Sequence, residues 1–444
     1  MRIVIAGAGE VGSHLAKLLS NEDQDILLID TDPSRLAGPD ANYNIMTLVG
    51  NPMSFATLRE ARVNACDLFI AVTPYEANNI VACSIAKTLG ARTTVARIDH
   101  YGFMDPANSA TVKSMGVDRL IYPEFLAAEE IITALNHSWI RHWFELHGGE
   151  IILVGVKLRD GAPLSNVQLK EFASANNRFH VSAIKRNHET IIPRGDDRME
   201  VGDILYITTT RDNVRELISL CGKVEHRIKR VLIMGGSKIA IRLANMAQDR
   251  FKFKIIDSDD AICHKLPTKC PEAEIFHGDA RDIDTLIEAG IEDTDAFVAL
   301  SSSSEANILT CLTAKEFGVK KTVAEVENLQ FISQAENLNI GTIINKKLLA
   351  SSSIFQLLLD SDSSTAKCLA LSDAEVAELD VKAGAKITQG LIREIKIPRQ
   401  MTLAGLIRNG KGMLISGNTQ LMPGDHVLVF CLSGSLHKIE KLFN

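Results

Sequence analysis

Short apolar runs recur along the chain, each followed by a stretch whose apolar positions have helical spacing. Ile3–Ala6 is continuously apolar, the pattern of a strand covered on both faces. Val11, Leu15, Leu18 and Leu19 then fall on one face of a helix. The pattern predicts further strands over 25–30, 44–49, 67–73, 92–97 and 118–122, and a helix over 78–89. Strands alternating with helices predict an α/β fold with a doubly wound, Rossmann-like parallel sheet. The next segment is patterned differently, with strands around 151–158, 181–186 and 204–208, a Gly202-Asp203 turn and a closing helix over 211–221. That predicts a small α+β module.

The whole pattern then repeats. Arg2-Ile3-Val4-Ile5-Ala6-Gly7 matches Arg230-Val231-Leu232-Ile233-Met234-Gly235, and Gly50, Leu58, Ala61 and Asp67 match Gly278, Leu286, Ala289 and Asp295. Half of the positions from Ala86 to Arg97 are identical to those from Ala314 to Glu325. The small module repeats as well: Arg186-Asn187 and Gly202-Asp203 match Arg408-Asn409 and Gly424-Asp425. The predicted order is therefore a parallel-sheet domain over 1–123, a linking helix over 124–147, a small module over 148–226, a second parallel-sheet domain over 227–345, a linking helix over 346–364 and a second module over 365–444.

Gly7-Ala8-Gly9-Glu10-Val11-Gly12 is G-x-G-x-x-G placed directly after a strand and opening a helix, the context a dinucleotide site requires. Gly7 allows the tight turn, Gly9 lets a pyrophosphate approach, and Gly12 lets the helix pack closely on the strand. Asp30 ends the second strand, where a carboxylate accepts hydrogen bonds from a ribose diol and repels a 2′-phosphate, favouring NAD(H). Asn51, Thr73, Pro74 and Arg97 lie at strand ends facing the same crevice, with ligand and purely structural roles both open. The second copy reads Gly235-Gly236-Ser237-Lys238-Ile239-Ala240, keeping the first glycine but losing the other two, while Asp257 retains the carboxylate. Glu325 stands where Arg97 stood, so a weaker nucleotide site is expected there, with Lys238 as a candidate phosphate contact.

Composition removes several alternatives. Of 444 residues, 46% are hydrophobic and 23% charged, which is ordinary for globular chains. A formal net charge of −7 argues against a nucleic-acid partner. No apolar run approaches the ~18–20 residues that span a bilayer, and the N-terminus reads as a buried strand without a signal-peptide layout, so a cytoplasmic chain is expected. The cysteines (66, 83, 221, 263, 270, 311, 368, 431) form no Cys-x-x-Cys pair and read as small buried residues. The histidines lack metal-ligand spacing; His137, His142 and His147 read as solvated positions around a helix. Ser301–Ser304 lacks a nucleophile elbow and aligns with the Thr73 loop. Ile132, Leu135, Trp139 and Trp143 fall on one helical stripe, either packing on their own unit or gripping a neighbouring nucleotide fold.

The opening Met1–Gly12, Ala71-Val72-Thr73 with Glu76-Ala77-Asn78, Ala96-Arg97-Ile98, Gly278-Asp279-Ala280 and Glu305-Ala306-Asn307-Ile308, in the tandem order above, resemble the TrkA family. That family comprises NAD-binding peripheral subunits of Trk potassium uptake systems, similar to RCK (regulator of potassium conductance) gating modules. The resemblance implies two RCK N domains each followed by an RCK C domain, a homo-oligomeric ring, and an integral membrane potassium channel or transporter subunit as partner at the inner face of the membrane. It implies nucleotide contacts at Gly7–Val11, Asp30, Thr73, Pro74 and Arg97, and at Gly235–Ile239, Asp257 and Asp279. NAD is the implied ligand, with ATP and ADP left open as competitors. The resemblance further implies a non-catalytic sensor; the alternative is an NAD-dependent oxidoreductase with duplicated Rossmann domains, for which the chain supplies no evident acid, base or polarising group.

Overall fold

A computed structural model describes residues 1–20, 24–187, 189–359, 374–432 and 436–444. The first parallel sheet contains β1 (Arg2–Ala6), β2 (Asp25–Asp30), β3 (Met46–Val49), β4 (Leu68–Ala71), β5 (Thr93–Arg97) and β6 (Arg119–Ile121), in the spatial order 3-2-1-4-5-6. β1 is central, with Val4 between Leu27 and Phe69. Ile3 and Ile5 face one core together with Leu15 and Leu19; Val4 and Ala6 face the other with Leu58 and Phe69. Burial on both sides is why β1 reads as an unbroken apolar run.

One layer of this sheet comes from far along the chain. The helix Lys346–Leu359 packs on the helix Glu10–Ser20, and its Ala350, Ile354 and Phe355 belong to the same core as Leu15 and Leu19. The linking helix that follows the second sheet thus covers the first. The described residues within 1–126 and 346–359 form one compact unit; those within 127–345 and 374–444 form another.

In the second unit, β7 (His142–Leu146), β8 (Ile151–Lys157), β9 (His180–Arg186), β10 (Glu189–Ile191) and β11 (Ile204–Thr209) make an antiparallel sheet ordered 10-9-11-8-7. The second parallel sheet repeats the first with β12 (Arg230–Met234), β13 (Lys252–Asp257), β14 (Glu274–His277), β15 (Ala296–Ala299), β16 (Lys321–Glu325) and β17 (Thr342–Ile344), ordered 14-13-12-15-16-17. The last sheet, β18 (Ala374–Asp380), β19 (Met401–Arg408), β20 (Lys411–Leu414) and β21 (His426–Leu432), is antiparallel and ordered 18-21-19-20.

The repeated Arg and Asp of the small modules form matching forks. Arg186 Nε and Nη2 donate to the buried Asp203 carboxylate at 2.9 and 2.8 Å, and Arg408 donates to Asp425 at 2.8 and 2.6 Å. The two antiparallel sheets meet face to face, with Tyr206 and Phe430 ring centroids 5.6 Å apart. A methyl on Gly412 would come within 2.4 Å of the Glu150 carbonyl oxygen, so the close approach there depends on glycine.

Three expectations change. The linking helix ends at Asn136, and Trp143 lies on strand β7, so the tryptophans do not share a helical stripe. Both indoles instead belong to the core of the first small module with Ile152, Val154 and Leu205. Helical spacing between Leu135 and Trp143 is interrupted by a turn that spacing alone does not signal. His147 is exposed, but His137 and His142 are not solvated helix positions. His142 stacks 5.9 Å from Tyr206, and His137 stacks 3.8 Å from Trp143. The seven described cysteines are free and buried; Cys368, residues 360–364 of the expected second linking helix and the start of the 365–444 module lie outside the described residues.

Candidate functional site

The first glycine loop leaves β1 at the point where the strand order reverses between β1 and β4, the place where doubly wound sheets open a crevice. Gly7 has φ +109° and packs against the Thr73 backbone, and its N–H donates to the Ile29 carbonyl at 2.7 Å. A Cβ on Gly12 would stand 1.8 Å from the Gly7 carbonyl oxygen, so only glycine lets the helix start this close. At Gly9 a Cβ would meet nothing within 4 Å: this is open space at the helix mouth. Ser13 N–H bonds back to Gly9 O at 2.8 Å, which leaves the N–H groups of Glu10, Val11 and Gly12 without intrahelical acceptors. These features fit a dinucleotide pyrophosphate.

Asp30 does more than end β2. It is buried, and its two oxygens accept from Ala8 N–H at 2.7 Å and Asp32 N–H at 2.9 Å. This acid therefore clips the glycine loop. Each carboxylate oxygen keeps lone-pair capacity for a diol. The Glu10 side chain is turned away to Lys347 of the helix Lys346–Leu359, and Val11 is buried beneath the loop.

At the other wall, Thr73 and Arg97 are joined through Asn79, which the sequence reading did not single out. This fully buried side chain accepts from Thr73 N–H at 2.9 Å and Thr73 Oγ1 at 2.7 Å, and donates to the Thr73 and Arg97 carbonyls. Asn307 repeats the arrangement with Ser301 and Glu325. Two adjacent asparagines, Asn78 and Asn79, gave no signal as to which one turns inward. Asn51 is exposed and closes a local turn by accepting from Met53 N–H at 2.9 Å; Pro74 is exposed.

The second cleft keeps the clip: Asp257 accepts from Gly236 N–H at 2.6 Å and Asp259 N–H at 2.8 Å. Gly235, Gly236, Ser237, Asp257 and Asp279 line a cavity of ≈ 400 Å³. Two features differ from the first copy. Ser237 caps its own helix, its hydroxyl accepting from Ala240 N–H at 3.3 Å, so a side chain occupies the position of Gly9. Arg281 enters the lining and holds Asp279 through several hydrogen bonds, which keep that carboxyl below the usual carboxylate range. Lys238 is exposed and Ile239 buried, and neither lines the cavity.

Among the described residues, two groups bring metal-type donors within 4.8 Å of one another. Glu76, Asp99 and His100 form one, but Glu76 Oε2 already accepts the backbone N–H groups of Asp99 and His100 at 3.0 Å. His147, Glu378 and His426 form the other, with Asp380 2.5 Å from His426 Nδ1; imidazoles with carboxylates are donors a zinc ion takes. The latter donors come from two separate modules, so sequence spacing could not announce them.

Fold and site together define a tandem nucleotide-binding-type architecture: two Rossmann-like domains, each followed by a small α+β module. The TrkA-N domain model matches residues 3–123 and 231–346, and the TrkA-C domain model matches 153–222 and 376–444. The chain belongs to this family. It is 29% identical over 452 residues to the Trk system potassium uptake protein TrkA of Halomonas elongata, covering 100% of this chain and 98% of that one. It is 28% identical to a TrkA homolog of Archaeoglobus fulgidus, with both chains fully covered. Among solved structures, the GsuK RCK domain superposes with a TM-score of 0.61 at 15% identity, covering 100% of this chain and 94% of that chain. The GsuK channel bound to NAD gives 0.61 at 14% identity, covering 100% and 78%.

Proposed function

We propose that the chain is a nucleotide-sensing, non-catalytic regulatory subunit of a Trk-type potassium uptake system, acting on a membrane partner. The observation that carries this reading is the Asp30-clipped glycine loop, in a chain matched along its length by relatives named as Trk potassium uptake proteins. NAD(H) would lay its pyrophosphate over Gly9 and its adenosine ribose against Asp30. Thr73, Pro74 and Arg97 would bound the nicotinamide side, and in the second cleft Asp257 and Asp279 would hold a nucleotide. Because the same carboxylate clips the loop and meets the ribose, occupancy is coupled to loop position. A nucleotide gates the partner only as far as it binds two arrangements of the assembly with different affinity. Among the described residues no helix is long and apolar enough to cross a membrane, so the pore would belong to the partner. A homo-oligomeric ring would sum the motions of several chains.

Co-purification with potassium-pore membrane proteins, followed by potassium flux into vesicles with and without NADH, tests the reading. Flux through the partner should change with NADH and lose that response in Asp30→Ala. NADH turnover on a small carbonyl, with no effect on flux, would favour an oxidoreductase instead.

A further inference from the structure

A concentration of positive charge in the second unit has no part in either glycine-loop cleft. It lies where the Ser138–Arg141 segment and β8 adjoin β16 and the end of the helix Leu329–Asn337. Arg141 and Lys321 are buried; Lys157, Lys223 and Lys315 are half-buried, and Arg159 and Lys320 sit at the rim. All of them line one cavity of ≈ 50 Å³, which shares no residue with the second nucleotide cleft.

The acceptors of their hydrogen bonds are neutral, while the Glu336 carboxylate acts on Arg141 and Lys157 only through space. Lys321 Nζ donates to the Ile140 carbonyl at 2.7 Å, and Lys157 Nζ and Arg141 Nη2 donate to the Glu336 carbonyl at 3.0 and 3.1 Å. Lys315 Nζ donates to the Asn339 carbonyl. Carbonyls at a helix C-terminus carry only about half a negative charge between them. The nearby carboxylates do not fill the deficit. Glu336 is held by Lys185 at 2.7 Å, and burial pushes Glu130 up to about 7. Burial first, then mutual repulsion, pulls Lys321 down to about 7 and Lys223 and Lys315 to about 8. Two further donors on lining residues, Arg141 Nη1 and Trp139 Nε1, are buried with no hydrogen-bond partner. Capping of the helix end accounts for Arg141, Lys157 and Lys315, and Lys321 is held separately by the Ile140 carbonyl. This leaves Arg159, Lys223, Lys320 and the two orphaned donors unexplained.

We propose that this cavity binds a small multivalent phosphate-type anion, inorganic phosphate or a diphosphate group. Guanidinium and ammonium groups lining one small space match tetrahedral oxyanion oxygens. The small volume suits a phosphate group better than an enclosed nucleoside. Bound there, the anion would tie the Arg141 segment of the first small module to the end of the helix Leu329–Asn337 in the second parallel-sheet domain.

The test is calorimetric titration of the full chain, presaturated with NADH, by phosphate, pyrophosphate and ATP at fixed ionic strength. Wild type should bind pyrophosphate saturably, with ATP no tighter. Lys223→Gln with Lys315→Gln should weaken pyrophosphate at least tenfold while NADH affinity changes less than twofold. If that pair fails to fold, Arg159→Gln with Lys320→Gln at the rim should still weaken pyrophosphate about threefold. At low ionic strength the anion-free melting temperature of the variant should equal or exceed that of wild type, because repulsion is relieved, and its rise with pyrophosphate should vanish. Absence of saturable binding, equal affinity in the variants, or a variant melting lower by the same amount with and without pyrophosphate would each overturn the proposal. Failure of NADH binding would instead strike the nucleotide-sensor reading, on which this site does not depend.

Discussion

Asp30 and Gly12 carry the most testable chemistry at the scale of single residues. Removing the Asp30 carboxylate takes away the proposed charged acceptor for the ribose and the clip on Ala8 N–H. Hydrogen bonds to charged groups contribute about 1.5–3 kcal/mol, so Asp30→Ala should weaken NADH by roughly 10–100-fold in calorimetry. Unchanged affinity would remove the dinucleotide assignment. Gly12→Ala forces a methyl onto the Gly7 carbonyl and should cost about 1–3 kcal/mol in urea unfolding, because backbone has to move. Ala240 occupies the matching place in the second copy, so that loop has already made this room. Ser237→Gly should correspondingly strengthen nucleotide binding at the second cleft, since its hydroxyl leaves the helix mouth. Trp139→Ala empties part of the first small module's core and should cost about 3–5 kcal/mol of stability. An intact melt accompanied by dissociation of oligomers would reinstate an interface role for the indole.

The elements of the small modules depend on their forks. Asp203 and Asp425 sit at matching turns, each buried and each held by an arginine two strands of sequence earlier, with the backbone N–H of Glu200 or Met422 as a further donor. Deleting one partner leaves the other charge badly solvated, so Asp425→Ala should cost about 3 kcal/mol, read as a lower urea midpoint at an unchanged slope. Asp203→Ala should behave alike, because the geometry is duplicated. A loss below about 0.5 kcal/mol in both would mean that the forks are solvent-screened pairs. The turn glycines and aspartates were visible as a sequence repeat, but their arginine partners acquired a role only once β9 and β19 were placed beside β11 and β21.

Acid should destabilise the whole chain before ordinary carboxylates titrate. Burial lowers His142 from 6.5 to about 3 and His180 to about 4. Below pH 6.5 the unfolded chain therefore takes up protons that the folded rings refuse, and stability falls with pH. Each ring contributes up to about 1.4 kcal/mol per pH unit. Glu130, raised to about 7, works in the opposite direction over the same window and offsets part of this loss, while His14 and His137, also lowered by burial, add to it. Urea midpoints at pH 7, 6 and 5 should decline, and His142→Gln with His180→Gln should flatten the decline. A midpoint that stayed constant between pH 7 and 5 would show that the rings protonate freely.

The alternation of apolar runs and helical faces determined the two parallel sheets, because a strand covered on both faces needs apolar residues at every position, as Ile3–Ala6 has. The glycine loop and Asp30 were legible for a similar reason: a tight turn, a helix start and a strand end are local, so they leave their residues close together in sequence. The duplication was legible because both copies meet the same local demands. Tertiary structure decided the rest. Asn79 and Asn78 are equivalent in composition, and only the pairing of β4 with β5 gives one of them two strand ends to hold. The helix Lys346–Leu359 reads as a link to the module after it, yet its apolar face is satisfied on the first sheet, hundreds of residues earlier. Trp139 and Trp143 kept helical spacing across a turn, and their burial depended on which sheet lay beneath them. The cationic cavity and the His147, Glu378 and His426 cluster gather side chains from separate modules, and no spacing rule along one chain encodes a neighbour that only folding supplies.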